Sequence, residues 1–255
     1  MFGAEPTISR NPRRSTTKAI IFDVFNTLFD NSREPWLVTF NTICSEQSLS
    51  VSPEELYQHW RALDTLARKG RVNLDAPELS PKFKPYREIW ENCFLTAFGE
   101  LGLEADASAA TTRALTDLTQ RTAFPESSTV VTTLHTKYKT GVLSNGDDSF
   151  LWPLLENSGL PFDVAICSET VGAYKPHPLT FTRVLEDLQT DAQDAIFVGD
   201  TLYEDILGAQ RIGMHTVLIN WNNVSVDTSL VKPDYQIHNL TKLLDILETI
   251  EGGSQ

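Results

Sequence analysis

The chain has 255 residues, 41% of them hydrophobic and 22% charged, a balance that suits a soluble globular protein with a sizeable core. Asp plus Glu outnumber Lys plus Arg by 34 to 21, for a formal net charge of -13. So acidic a surface argues against nucleic acid and against an anionic membrane as partners, because both demand a basic face.

Residues 1–17 read as a disordered basic tail, without the apolar stretch of a secretory leader. Order is expected from Ala19, where Ala-Ile-Ile-Phe-Asp-Val-Phe is apolar except for one acid. Runs of this kind suit a strand covered on both faces in a parallel sheet. After Asn31 the pattern changes. Trp36, Phe40 and Ile43 recur at helical spacing, then Leu56, Trp60 and Leu63, then Tyr86, Ile89, Trp90, Cys93 and Phe94, while Leu115 and Leu118 mark a further helix. No strand-like run interrupts them. Residues 31–123 are therefore expected to form an all-α cap of about four helices, with Ala123-Phe-Pro-Glu-Ser127 as the return hinge.

From there strands and helices alternate. Strands are expected at 141–144, 163–167, 195–199, 215–219 and, more weakly, 234–237; helices are expected at 127–138, 149–158, 178–188, 203–212 and 240–250. The alternation predicts an α/β fold, a doubly wound parallel sheet with a Rossmann-like core built from 18–30 and 124–251. Cys44, Cys93 and Cys167 lie far apart with no CxxC spacing, which argues against zinc and suits a reducing cytoplasm. No apolar run reaches the length of a membrane span, so a cytoplasmic monomer or homodimer is expected.

In open α/β sheets, ligands bind beyond the carboxyl ends of the strands. The first strand ends at Asp23-Val-Phe25-Asn-Thr27-Leu-Phe-Asp30, the second at Ser144-Asn145-Gly146, and the fourth at Gly199-Asp200-Thr-Leu-Tyr-Glu204-Asp205. Lys175-Pro-His-Pro178 lies between the third and fourth. Acids, a hydroxyl and a lysine thus converge from distant parts of the chain. An acid such as Asp23 within an apolar run is costly to bury without a purpose.

These four segments, in this order, resemble the four motifs of the haloacid dehalogenase (HAD) superfamily of hydrolases, over roughly residues 18–251. The helical insertion resembles that family's C1-type cap. The resemblance implies that Asp23 is a nucleophile forming an aspartyl intermediate, with Ser144 and Lys175 as its catalytic partners. It implies Mg²⁺ held by Asp23, the Phe25 backbone carbonyl, Asp200 and Asp205, a ligand set that a hard cation accepts. Thr27, Asn145, Gly146 and Arg61 would bind a small anionic substrate.

One position departs from the family. Its phosphatases carry a second Asp two residues after the nucleophile, which protonates the leaving group; here that residue is Phe25. The first motif, ending Thr27-Leu-Phe-Asp30, is dehalogenase-like, and Trp60-Arg61 looks similar to the cap arginine that receives halide in 2-haloacid dehalogenases. The fourth motif is phosphatase-like, because Asp200 places a second negative charge beside Asp23 and so calls for a cation. The sequence favours an Mg²⁺-dependent phosphatase of a small metabolite. A 2-haloacid dehalogenase using Arg61 and a catalytically weak HAD-fold binding protein are the alternatives. Trp36, Tyr86 and Arg87 are further candidates for substrate contact, and His177 reads as structural.

Overall fold

A computed structural model of the chain describes residues 17–252, so the expectation for the basic tail lies almost entirely outside the described residues. Strand β1 (Ala19–Phe22) is completely buried, as its uninterrupted apolar run requires. The chain then leaves the sheet and builds α1 (Arg33–Glu46), α2 (Pro53–Gly70), α3 (Tyr86–Glu100) and α4 (Ala107–Leu118), with a short 3-10 turn at Pro77–Leu79. It returns through α5 (Pro125–His135) to β2 (Lys139–Ser144). There follow α6 (Asp148–Ser158), β3 (Val164–Cys167), α7 (Ser168–Val171), α8 (Pro178–Asp187), β4 (Ala195–Gly199), α9 (Gly208–Arg211), β5 (His215–Ile219), β6 (Tyr235–Ile237) and α10 (Lys242–Gly252).

The six strands form one parallel sheet in the order β3-β2-β1-β4-β5-β6. The chain walks from β1 to β3 on one side and then crosses to β4 on the other. This reversal opens a crevice beyond the carboxyl ends of β1 and β4. The pairing places the functional segments. Phe22 lies opposite Val142 on one side and Val198 on the other, so the residues after these positions emerge together. The backbone N–H of Asp23 donates to Val198 O at 2.8 Å, which extends the ladder by one residue.

The cap is held by aromatic packing. Trp60, Trp90, Phe40 and Phe94 are fully or almost fully buried. Trp60 meets Trp36 at 5.0 Å and Trp90 at 5.3 Å between ring centroids, close enough for aromatic attraction beyond simple area burial. Ser52 starts α2 by accepting the Glu55 N–H at 3.1 Å, with Pro53 in the first turn, and Asp106 starts α4 by accepting Ala109 N–H at 2.9 Å. The outgoing and returning connections run side by side: Phe124 N–H donates to Leu28 O and Asp30 N–H to Thr122 O, each at 2.9 Å.

Two differences from the sequence reading are physical. The helix expected over 203–212 is divided: Leu202–Leu207 is a π-helical turn that passes into α9. Hydrophobic spacing cannot distinguish a π turn from the start of an α-helix, and such turns concentrate at functional sites. The four-residue α7 is too short to give a periodic signal. Among the described residues, no helix is long and apolar enough to cross a membrane.

Candidate active site

Asp23 leaves β1 buried, 7% exposed, at the mouth of the crevice. The loop that follows turns back sharply, with Asn26 in the left-handed region at φ 62°, a conformation Asn tolerates better than most residues. Thr27 donates its hydroxyl to Asp23 Oδ2 at 3.1 Å, and Lys175 donates to Oδ1 at 2.7 Å. Both carboxylate oxygens are thereby oriented. Lys175 also donates to Asp205 Oδ1 at 2.6 Å. The second oxygen of Asp205 accepts the Thr201 N–H at 2.9 Å and the Thr201 hydroxyl at 2.6 Å. Glycine is needed beneath it, because a Cβ on Gly199 would fall 2.5 Å from Asp205 Cγ.

Charge is concentrated here. Burial raises the Asp23 carboxyl to about 6, with Lys175 opposing and Asp205 adding to the rise. Burial, then the charges of Asp23 and Asp205, push Asp200 well above the usual carboxylate range. Burial works against the charge on Lys175, but Asp205 and Asp23 together more than offset it and hold the ammonium above its ordinary value. Carboxylate oxygens of Asp23, Asp200 and Asp205 lie within 4.8 Å of one another. Three acids against one lysine, two of them raised in pKa, form a donor set whose repulsion a small hard cation would relieve. The residues fit Mg²⁺.

A cavity of about 260 Å³ lies above these groups. Asp23, Phe25, Ser144, Asn145, Lys175 and Asp200 line its floor, and the cap supplies Trp36, Arg61, Tyr86 and Trp90 to its roof. Arg61 reaches the cavity while donating to Asp64 Oδ2 at 2.9 Å. Three other expected residues, Thr27, Gly146 and Arg87, do not line this cavity. Thr27 is fully buried behind Asp23 and acts on its orientation. The Gly146 N–H donates to Ser168 Oγ at 3.0 Å, so it is not offered to the cavity. Arg87 donates to Thr112 on the cap surface at 3.2 Å. His177 caps α8 through Leu179 N–H at 3.2 Å, a structural task. The cysteines are buried, with burial pushing Cys93 and Cys167 up to about 12, so none offers a reactive thiolate.

Several site residues had no signal strong enough to single them out. Arg68 lines the cavity and shares Asp64 with Arg61, its Nε at 2.8 Å from Asp64 Oδ2. In sequence it is simply a basic residue in the last turn of a helix. Glu204 accepts from Asn145 Nδ2 at 3.0 Å and faces Arg71. Burial favours its neutral form, but Arg71, Arg68 and Lys175 prevail and hold it below the usual range.

Asp147 is the other. It is a core residue, 2% exposed, whose carboxylate accepts the N–H groups of Tyr86 at 2.9 Å and Arg87 at 3.1 Å, and so caps α3 across the cap–core boundary. Burial nevertheless raises this carboxyl to about 6; the two N–H groups oppose the rise, and Glu169 and Asp148 add to it. The folded protein therefore holds the Asp147 proton more tightly than the unfolded chain, where the ordinary value is 3.8. This contribution to stability is complete below about pH 4 and is lost as pH rises through about 6. Asp147→Asn should abolish that loss. Between about pH 4 and 7 the stability of the parent relative to the variant is expected to fall by about 3 kcal/mol, read from urea unfolding. A difference that does not change with pH would contradict it.

Comparison with known proteins agrees with the geometry. Residues 17–213 match the family model for haloacid dehalogenase-like hydrolases. The chain is 33% identical over 122 residues to a glyceraldehyde 3-phosphate phosphatase of Pyrococcus furiosus, covering 46% of this chain and 51% of that protein, so it spans about half the length of that relative. It is 28% identical over 205 residues to an (S)-2-haloacid dehalogenase of Xanthobacter autotrophicus, covering 77% of this chain and 72% of that protein. The structure of the magnesium-bound HAD-hydrolase YfnB from Bacillus subtilis shares the fold, with a TM-score of 0.77 at 22% identity over 91% of this chain and 99% of that one. The four motif segments meet at one crevice of a doubly wound sheet, and the family model spans most of the chain: the protein belongs to the haloacid dehalogenase-like hydrolases.

Proposed function

We propose that the protein is an Mg²⁺-dependent phosphohydrolase that forms an aspartyl-phosphate on Asp23 and acts on small phosphate compounds with good leaving groups. The observation that carries this reading is the trio Asp23, Asp200 and Asp205, with ligand oxygens within 4.8 Å beside Lys175. Asp23, Asp200 and the Phe25 carbonyl would hold the ion, with Asp205 beside them. When bound, it would neutralise carboxylate and phosphate charge and so let two anions approach.

The chain's own residues supply the remainder. Asp23 attacks phosphorus, the bond to the leaving oxygen breaks with its electron pair going to that oxygen, and water later attacks phosphorus, returning the electron pair to Asp23 as carboxylate and leaving its protons on the released phosphate. Lys175 neutralises charge on Asp23 and on the transferring group, and Ser144, on the cavity floor, would hold that group, while the Asn145 amide, expected at the substrate, is instead taken up by the Lys175 backbone and Glu204. Phe25, whose ring packs 5.9 Å from that of Phe150, can give the leaving oxygen no proton. Acyl phosphates and anomeric sugar phosphates, whose leaving groups depart readily as anions, suit such a site.

Phosphate release from a panel of such compounds should require Mg²⁺ and stop with EDTA; turnover that survives chelation would sink the reading. Phe25→Asp should raise hydrolysis of alkyl phosphates by about 10²–10⁴-fold while changing acyl phosphates far less. An equal effect on both substrate classes would show that Phe25 does not set the leaving-group limit.

A second reading, 2-haloacid dehalogenase, draws support from Arg61 at the cavity and from the dehalogenase relative. Halide needs no proton to leave, so Phe25 is compatible with it. This reading predicts halide release from short 2-chloro- and 2-bromo-acids, lost in Arg61→Ala.

A further inference from the structure

Arg71 does not line the cavity, yet it is bound into the site by a continuous series of contacts. It ends α2 on the cap and is 8% exposed. Its guanidinium carbon lies 4.0 Å from the ring centroid of Tyr174, a core residue, and 5.0 Å from that of Tyr86. Nη1 donates to Tyr86 Oη at 2.6 Å, and Nη2 lies 3.4 Å from Glu204 Oε1. A planar guanidinium packed against two rings and hydrogen-bonded to one of their hydroxyls has little freedom left, so it presents a fixed charge.

Glu204 relays that position. Its other oxygen accepts from Asn145 Nδ2 at 3.0 Å. The Asn145 amide then holds the Lys175 backbone at both of its polar groups: Oδ1 accepts the Lys175 N–H at 2.7 Å, and Nδ2 donates to the Lys175 carbonyl at 3.3 Å. Lys175 Nζ in turn grips Asp23 and Asp205. Glu204 and Asp205 are neighbours on the π-helical turn, one directed to Arg71 and Asn145, the other to Lys175 and Thr201.

We propose that Arg71 is a positioning residue: seated between core and cap, it fixes Glu204 and Asn145, and through them the placement of Lys175 against Asp23. The catalytic part of this inference rests on Asp23 being the nucleophile; the structural part does not.

The experiment uses the full chain as parent, Arg71→Met, Arg71→Lys, Glu204→Gln and the double variant Arg71→Met/Glu204→Gln. The first readout is amide hydrogen exchange, which is independent of any substrate. The Lys175 amide is expected to exchange at least about tenfold faster in Arg71→Met and to recover partly in Arg71→Lys, while the Phe22 and Val198 amides keep the parent rate. Steady-state hydrolysis of acetyl phosphate with Mg²⁺ is the second readout. There kcat should fall about 10–100-fold with KM changed less than about threefold, and the double variant should lose no more than Arg71→Met alone.

Parent-like exchange at Lys175 overturns the proposal. So does acceleration of all three amides together, which would indicate general loosening, and so do additive losses in the double variant. If the parent releases no phosphate from acetyl phosphate or any other compound of the panel, the phosphohydrolase reading fails and the exchange data still decide the role of Arg71. If Arg71→Met does not fold, Arg71→Lys and Glu204→Gln carry the same comparison.

Discussion

Asp23→Asn is expected to lower phosphate release by at least about four orders of magnitude while leaving the protein folded. The substitution is isosteric and keeps an oxygen for Lys175, but an amide is no nucleophile toward phosphorus. It also removes one negative charge from a cluster in which burial first, and then the charges of Asp23 and Asp205, drive up the pKa of Asp200. Stability without metal should therefore stay level or rise slightly, and Mg²⁺ should bind more weakly. Phosphate release assays, thermal melts and calorimetric Mg²⁺ titration check these three effects together. A variant that keeps turnover within about tenfold of the parent would remove Asp23 as the nucleophile.

Lys175→Met should act on stability as well as rate. Lys175 is 1% exposed and is the cation that touches both Asp23 and Asp205. Its loss leaves buried carboxylates without a compensating cation, which costs about 3–5 kcal/mol when one member of a buried charge pair is removed. The rate should also fall by about 10²–10³-fold, as for loss of one electrostatic stabiliser. Mg²⁺ is expected to recover part of the stability and little of the rate, because the ion can relieve the acids but cannot replace an ammonium held at Asp23. Urea unfolding with and without Mg²⁺ measures the first effect and phosphate release the second. A variant as stable as the parent in EDTA would show that the acids are neutral there, and the charge account of the site would be wrong.

The central strands were legible because β1 and β4 are buried along their whole length, and burial on both faces leaves an unbroken apolar run such as Ala19–Phe22, whereas the edge strand β6, mostly exposed, gave the weaker signal. The cap helices were legible from aromatic spacing, since Trp36, Trp60 and Trp90 each face one shared interior. The acids, hydroxyl and lysine were legible because they follow strand ends in fixed order. What escaped was contact between elements. Asp147 reads as one more polar residue after a strand, and only the approach of α3 makes it a helix cap. Arg71 reads as a favourable charge at a helix end, and only the docking of α2 on the core sets it against Glu204. Gly146 and Thr27 were expected at the substrate, and only the folded chain shows their hydrogen bonds to Ser168 and Asp23.

By itself, then, the amino-acid order determined the α/β class, the inserted helical cap and the chemical groups available at the strand ends, because each depends on local periodicity or on position along one strand. Tertiary structure decided which of those groups share a cavity, which oxygens of Asp205 are already engaged, and which cap cations face the floor. The reason is physical. Hydrogen bonds require contact within about 3 Å and charge pairs are strongest at contact, while the residues that make them here, such as Lys175 and Asp23, lie 152 positions apart in the chain.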